Sequence, residues 1–286
     1  MNNLIKILVV AVLIILSPNV HATTQKLTEE FAVDPADVLT SIEKEVEANP
    51  KSYQLRFALG ALYFELASIE YDAATYEIKK GNPALLEKAE REFNEALKLK
   101  KDDSLTYYYL GHLAILKQHN IDLAMEFYKK SIKSDPLNQR AYYKLHSLYL
   151  FQKKYSEAAA LLENLTKIVK DDANVYHRLS LTYLFIGDYG RVIENAKKAL
   201  SIKKNTESQL ILASAYSKTK DYESAKTNLE DILAREPQNR TALLGLSAVF
   251  QKIGNNKKAL ALLNKANGYY PSDSEIMNKI KELTNK

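Results

Sequence analysis

Residues 173–206 read ANVYHRLSLTYLFIGDYGRVIENAKKALSIKKNT, and both halves of this stretch carry apolar residues at intervals of three and four. These apolar positions are Tyr176, Leu179, Tyr183, Val192, Ala196 and Ala199. The spacing places them on one face of an amphipathic helix in each half. Gly187 lies between the halves, where glycine suits the left-handed C-cap of the first helix. The stretch therefore predicts a helical hairpin.

The same pattern recurs along the chain with a period near 34 residues, in further segments that start at Ser104, Gln139, Thr206 and Arg240. Small residues recur at the eighth position of the first helix and near the twentieth position, in the second helix: Gly111, Ser180, Ala213, Ser247 and Ala124, Ala158, Ala225, Ala259. They allow the paired helices to approach closely. Proline disfavours the helical conformation in the residue before it, so Pro136, Pro237 and Pro271 mark the ends of second helices.

This pattern resembles the tetratricopeptide repeat (TPR) family, in which a large residue, Leu-Gly, aromatic residues, alanines and a proline recur over one period. The resemblance implies an all-α fold: a right-handed superhelical solenoid of about six TPR helical hairpins with N- and C-terminal flanking helices. Repeat units cannot bury their apolar faces alone, so we expect them to stack, with polar caps at the ends.

The repeats and their flanks predict a domain organisation. It comprises a signal peptide (1–22), a tether and N-terminal helix (23–49), the TPR solenoid (50–273) and a C-terminal capping helix (274–286). Within the solenoid the repeats lie near 53–103 with an insertion, 104–138, 139–172, 173–205, 206–239 and 240–273. Ser272 and Glu275 have the spacing of a capping box, which predicts the start of the last helix.

The first repeat departs from the template. Ala89 follows Gly60 by 29 residues, against 12 from Ser180 to Val192, which is an excess of 17. Most of the excess, residues 65–78, keeps helical spacing of apolar residues. We therefore expect a lengthened first helix, acting either as a lip for binding or as packing for the N-terminal helix.

Residues 1–22 indicate export. Lys6 precedes an apolar run of 10 residues, Ile7 to Leu16, whereas a bilayer-spanning helix takes about 20. With a small-residue cleavage site at Ala22, we interpret the segment as a cleaved secretory signal peptide. We expect an exported bacterial member of the family, located in the periplasm, with a secreted protein or an uncleaved anchor as alternatives. No transmembrane segment is expected after cleavage.

Composition and motifs argue against several classes of function. The net charge of +5 over 286 residues is mild, and no RNA-binding signature occurs, so we expect no nucleic-acid partner. The chain has no Cys, which excludes thiol chemistry and zinc–thiolate sites. Motifs of metalloproteases, P-loop proteins, serine hydrolases and dinucleotide enzymes are absent. His146 occupies a small-residue position, which packing explains. We therefore expect no enzyme, no cofactor and no metal site.

Binding is the better-supported function, because the first helices of such repeats line the concave surface. Template positions 2, 5, 6, 9, 12 and 13 should face that surface. In the central repeats the predicted partner-binding residues are Tyr108, His112, Arg140, Tyr143, Lys144, Asn174, His177 and Arg178, with Phe151 and Phe185 beside them. Tyr and Phe offer contact area, and Arg can hold a carboxylate through two hydrogen bonds. We expect a protein or peptide partner of acidic character.

Toward the C-terminus the corresponding positions, Leu210, Ser214, Leu244 and Ala248, carry less chemistry. The resulting prediction is a non-catalytic scaffold or adaptor for envelope, secretion or pilus assembly, with the contact in the central repeats. Two alternatives stay open: a self-associating structural component of unknown oligomeric state, and a receptor for a small or carbohydrate ligand. A third possibility is that Tyr108 and Tyr143 only cover neighbouring helices while the cations are solvated.

Overall fold

The computed structural model describes residues 35–67, 70–71 and 78–285. The predicted signal peptide and tether lie outside these ranges. Apart from two short strands, the elements within them are α-helices, which confirms the predicted all-α repeat fold. Among the described helices, none has both the length and the apolar character needed to cross a membrane.

The chain divides into two compact units, one ending at Leu148 and the other beginning at Tyr149. The N-terminal unit contains α1 (Pro35–Ala48), α2 (Tyr53–Leu66), β1 (Glu70–Tyr71), β2 (Ile78–Lys80), α3 (Pro83–Leu99), α4 (Ser104–Gln118), α5 (Ile121–Ser134) and most of α6 (Gln139–Phe151). Helix α2 pairs with α3, and α4 pairs with α5, as two hairpins, while α1 packs on α2. The range predicted for the solenoid, 50–273, spans the boundary between the two units.

The C-terminal unit consists of the end of α6 and eight further helices. These are α7 (Tyr155–Ile168), α8 (Ala173–Ile186), α9 (Tyr189–Ile202), α10 (Thr206–Lys218), α11 (Tyr222–Arg235), α12 (Arg240–Lys252), α13 (Asn256–Tyr269) and α14 (Ser274–Thr284). Helices α8 and α9, α10 and α11, and α12 and α13 form hairpins, and α14 packs on α13. Gly187 ends α8 with a φ of +85°, as predicted for a left-handed cap.

The predicted lengthening of the first repeat helix is wrong. Helix α2 ends at Leu66, and the insertion continues as strands β1 and β2, which pair antiparallel with Tyr71 opposite Ile78. The backbone N–H of Asn82 donates to the carbonyl oxygen of Ala67 at 2.8 Å, which joins the two ends of the insertion. Helices are stabilised mainly by packing of their apolar face. Because α3 runs back along α2 from this point, an extension of α2 would have lacked that packing.

The start of the last helix also differs from the prediction. Asp273, not Ser272, is the N-cap of α14, and its Oδ1 accepts hydrogen bonds from the backbone N–H groups of Glu275 at 3.0 Å and Ile276 at 3.2 Å. A carboxylate at this position satisfies free N–H groups and is also favoured by the helix dipole. The capping box at Ser272 and Glu275 is therefore wrong by one residue.

Small residues at the eighth helical position allow close packing, as predicted. A Cβ atom built on Gly111 would lie 2.6 Å from a ring carbon of Tyr128, and one on Gly60 would lie 2.9 Å from the ring of Phe93. Both rings are fully buried. In both hairpins of the N-terminal unit, an aromatic ring on the second helix therefore packs against a glycine on the first helix.

Candidate partner-binding faces

Aromatic rings fill the interior beneath the first helices of the N-terminal unit. The ring of Tyr109 lies 5.8 Å from that of Phe57, 5.4 Å from Phe64 and 5.1 Å from Phe93. These separations are typical of aromatic pairs that contribute beyond their buried area. The cluster thus packs α4 against α2 and α3 through aromatic rings.

Five of the predicted partner-binding residues lie in this unit: Tyr108 and His112 on α4, and Arg140, Tyr143 and Lys144 on α6. We call these five residues the aromatic face. The rings of Tyr108 and His112 meet edge to face, with centroids 4.8 Å apart. Burial lowers the pKa of His112 to about 3, and the positive charge of Lys144 adds to the effect. His112 is therefore a neutral aromatic ring near pH 7, and the positive charge of the face comes from α6.

The α6 side chains of the aromatic face are half-buried. Burial raises the pKa of Tyr109, with the charge of Glu65 adding to the effect and the positive charge of Arg140 opposing it. The hydroxyl of Tyr143 donates to Oε1 of Gln139 over 3.4 Å, within the same helix. The positive charges of Arg140 and Lys144 on α6 thus lower the pKa values of Tyr109 and His112 on α4, respectively, and in Tyr109 this opposes the larger effect of burial.

The other three predicted residues, Asn174, His177 and Arg178, lie on α8 in the C-terminal unit. Nδ1 of His177 lies 2.9 Å from the hydroxyl of Ser208 on α10. Burial lowers the pKa of His177, the charge of Glu207 opposes the shift, and that of Arg178 supports it. Asn174 is exposed in the first turn of α8. The predicted set is therefore divided, with five residues in one unit and three in the other.

Phe151 and Phe185, predicted beside that set, are 48% and 53% exposed. The ring of Phe185 stacks on Tyr155 of α7, with centroids 5.4 Å apart and planes within 10°. Exposure of large rings is consistent with a surface that contacts a partner.

The C-terminal unit contains a cavity of about 380 Å³ that was not predicted from the sequence. It lies on the first helices of the last two hairpins, α10 and α12, and α14 contributes Glu275 to its wall. It is lined by the four C-terminal positions at which no partner contact was predicted: Leu210, Ser214, Leu244 and Ala248. We call this feature the apolar cavity. Small residues at two of these positions, Ser214 and Ala248, were the available signal, but only the packed helices show that they leave an open space at the surface.

The two units also differ in charge. Residues 149–286 contain 22 Lys and Arg against 15 Asp and Glu, a formal charge of +7. Residues 1–148 contain 18 against 20, a formal charge of −2. Within the part of the chain that the structure describes, no group of three or more His, Asp and Glu could hold a metal ion.

Comparison with protein families identifies the repeat. Two tetratricopeptide repeat models match the chain, one over residues 116–180 and 218–279 and the other over residues 173–206, which together cover more than half of it. The chain belongs to the tetratricopeptide repeat family. TPR proteins bind protein or peptide partners, so the chain is a protein–protein interaction scaffold, and no catalytic family is indicated.

Relatives and solved structures agree with this assignment. The BBSome complex member BBS4 of Bos taurus is 30% identical over 152 residues, which are 52% of this chain and 28% of that protein. The chain thus spans less than a third of that relative's length. The C-terminal part of a TPR repeat-containing protein from Cytophaga hutchinsonii has a TM-score of 0.67 at 19% identity, over 85% of this chain and 93% of that one.

Two further solved structures are similar in fold. The pilF protein of Pseudomonas aeruginosa has a TM-score of 0.56 at 20% identity, over 80% of this chain and 97% of that one. YrrB, described as a TPR protein with an unusual peptide-binding site, has a TM-score of 0.57 at 18% identity, over 66% and 97%. At these identities the similarity shows the shared TPR fold alone.

Proposed function

We propose that this TPR protein is an exported adaptor that binds an acidic peptide or protein segment on its aromatic face. The observation that carries the proposal is the pairing of Tyr108 with His112, 4.8 Å apart, in the same unit as Arg140 and Lys144 of α6. Rings and cations on neighbouring first helices match a peptide that presents apolar and acidic side chains in alternation.

The chemistry of the aromatic face supports an acidic partner. His112 contributes no positive charge because burial and Lys144 keep its pKa low, so it acts with Tyr108 as contact area. Tyr rings provide such area at low entropic cost. Arg140 can hold a carboxylate through two parallel hydrogen bonds, and Lys144 supplies a second cation. On the C-terminal unit, Asn174, His177 and Arg178 are proposed as a separate contact set, to be tested by itself.

The proposed compartment rests on the N-terminal sequence, where the short apolar run after Lys6 precedes a cleavage site at Ala22. An exported TPR scaffold suits the assembly of envelope, secretion or pilus machinery, and pilF is among the proteins with this fold. The test is fractionation of the full chain from its own cells, with mass spectrometry of the N-terminus. A mature protein that begins at Thr23 in the periplasmic fraction is expected. A cytosolic protein that retains Met1 would contradict export.

The binding proposal is tested by affinity capture from an envelope extract. The double variant Arg140→Glu, Lys144→Glu is compared with Lys101→Glu, Lys133→Glu, which makes the same charge change at two exposed positions of the same unit. We expect one partner to be retained by the wild type and the control and lost by the double variant. Arg178→Glu, run alongside, reports on the C-terminal contact set.

Two results would contradict the proposal. Equal capture by both double variants would show that the aromatic face is not the contact surface. Recovery of the protein alone, with a mass in sedimentation that rises with concentration, would instead favour self-association.

A further inference from the structure

The apolar cavity exists because four helical positions that line it carry small residues. Ala213, Ser214, Gly245 and Ala248 line it, and none has a side chain long enough to fill the space between α10 and α12. The absence of a side chain at Gly245 matters for packing as well, because a Cβ there would lie 3.2 Å from a methyl carbon of Leu229. Small residues therefore keep the helices close and leave room at their surface.

The floor of the apolar cavity is aliphatic. Leu210, Leu229, Leu244 and Val249 contribute to its lining, and Leu229 and Val249 are buried. A volume of about 380 Å³ is at the lower end of the range for small-ligand pockets, roughly 300–1,000 Å³. It is large enough for one or two aliphatic side chains, and an apolar group that enters it is removed from water.

The rim of the cavity is polar, and only some of its charged side chains form ion pairs within the described ranges. Arg240 donates to Asp273 through Nε and to Glu275 through a terminal nitrogen, each at 2.6 Å. Its charge is therefore neutralised within the fold. Lys218, at the end of α10, is exposed and forms no ion pair within the described ranges. The side chain at the rim that forms no ion pair within the described ranges, Lys218, is therefore positively charged.

We propose that the apolar cavity is a second docking site, which takes the aliphatic side chain of a partner segment whose flanking residues are acidic. The aliphatic floor selects a side chain such as leucine, and Lys218 meets a carboxylate beside it. The formal charge of +7 on residues 149–286 favours the approach of an acidic segment and disfavours a basic one. This inference does not rest on the aromatic face, which lies in the other unit.

The probes are three synthetic hexapeptides with blocked ends, titrated calorimetrically into the full chain at low salt. EDLLED combines leucines with acidic flanks, EDSSED lacks the leucines, and KRLLKR reverses the charge. We expect EDLLED to bind at least tenfold more tightly than either of the others. Equal binding of EDLLED and EDSSED would show that only charge is recognised and would overturn the proposal, as would no binding of EDLLED.

Variants locate the site. Ser214→Leu places an aliphatic side chain in the cavity from an exposed position, and we expect at least a tenfold loss of EDLLED affinity. Ala160→Leu, at an exposed position of α7 outside the cavity, is the matched control and should stay within twofold. Lys218→Glu should lose about fivefold, with Lys252→Glu as its control. Ala248→Leu repeats the filling test from α12 in case Ser214→Leu loses helicity.

Three outcomes separate this inference from the alternatives. Binding of EDLLED that survives both filling variants would overturn it. Loss of binding in Arg140→Glu, Lys144→Glu would assign the peptide to the aromatic face instead, whereas unchanged binding in that variant keeps the two proposals distinct. A dimer in the wild type that Ser214→Leu dissociates would identify a second copy of this chain as the occupant and overturn the choice of an acidic partner.

Discussion

The two units share one hairpin template, but they differ in the residues at one pair of positions, one on the first helix and one on the second. In the N-terminal unit, glycine on the first helix faces an aromatic ring on the second, as Gly111 faces the fully buried Tyr128. In the C-terminal unit, the equivalent pair in the hairpin of α10 and α11 is Ala213 and Leu229. The first arrangement fills the space between the helices with a ring, and the second fills it with the side chain of Leu229, which also lines the apolar cavity.

This difference shows that the repeat fold accepts side chains of different size and chemistry at one pair of positions. Where rings fill the interior, Tyr108 and His112 of α4 pack against the buried ring of Tyr128, and α6 carries Arg140 and Lys144. Around α10 and α12, small and aliphatic residues line an open apolar space with Lys218 at its rim. One scaffold therefore offers two surfaces of different chemistry.

The largest expected effect comes from removing a ring. Tyr128→Ala empties a fully buried position and should lower the free energy of unfolding by about 3–5 kcal/mol. The equivalent residue in the fourth hairpin is already Ala196, which shows how differently the C-terminal unit fills the same place. Urea unfolding followed by circular dichroism measures the change. A cost below about 1 kcal/mol would mean that the ring is not part of a tightly packed core.

The glycine partner of that ring should be nearly as sensitive. Gly111→Ala places a Cβ 2.6 Å from the ring of Tyr128, and we expect a loss of about 1–3 kcal/mol from overpacking. Gly268→Ala is the matched control, because a Cβ there meets nothing within 4 Å. Alanine favours the helix, so the control should gain about 0.5–1 kcal/mol. Equal gains at both positions would contradict the ring-against-glycine packing.

His112 predicts a pH dependence in the N-terminal unit. Its pKa is lowered from 6.5 to about 3, so between these values the unfolded chain binds a proton that the folded chain does not. Stability from this residue is complete above pH 6.5 and falls as the pH decreases. From pH 6.5 to 4.5, His112→Phe should lose about 1–2 kcal/mol less than the wild type. Identical losses, measured by urea unfolding at both values, would contradict burial of the neutral ring.

The smallest effect is expected at the rim of the apolar cavity. Arg240→Gln removes the ion pairs with Asp273 and Glu275, each 2.6 Å long and partly exposed. Such pairs contribute little, so the cost should be about 0.5–1 kcal/mol, and it should shrink at high salt because screening weakens the wild-type pairs. A cost that does not depend on salt would mean that Arg240 acts through packing.

Sequence periodicity was sufficient to predict the helices because each apolar stripe needs a partner helix, and the 34-residue template repeats that requirement. The same reasoning failed for residues 65–78, where helical spacing is present but the chain turns into β1 and β2 after Leu66. There, the return of α3 along α2 overrides the local pattern. Local spacing also misplaced the cap of α14, because Asp273 competes with Ser272 for the same role.

The candidate sites were less predictable for a different reason. Tyr108, His112, Arg140, Tyr143 and Lys144 could be named because ring and charge are properties of single residues. The apolar cavity could not be predicted, because it is a space that the small side chains of Ser214 and Ala248 do not fill. The presence of such a space depends on how α10 and α12 pack. The neutral state of His112 likewise follows from burial and from Lys144, which the sequence alone does not place.

The most direct test of the account is site-specific photocrosslinking in the protein's own cells. A photoreactive phenylalanine analogue replaces Tyr143 on the aromatic face, and in a second strain it replaces Glu126, which is exposed on the second helix of the preceding hairpin. We predict a single crosslinked partner from position 143, lost when Arg140→Glu and Lys144→Glu are added, and no such product from position 126. Crosslinking of the same partner from both positions, unaffected by the charge reversals, would contradict recognition by the aromatic face.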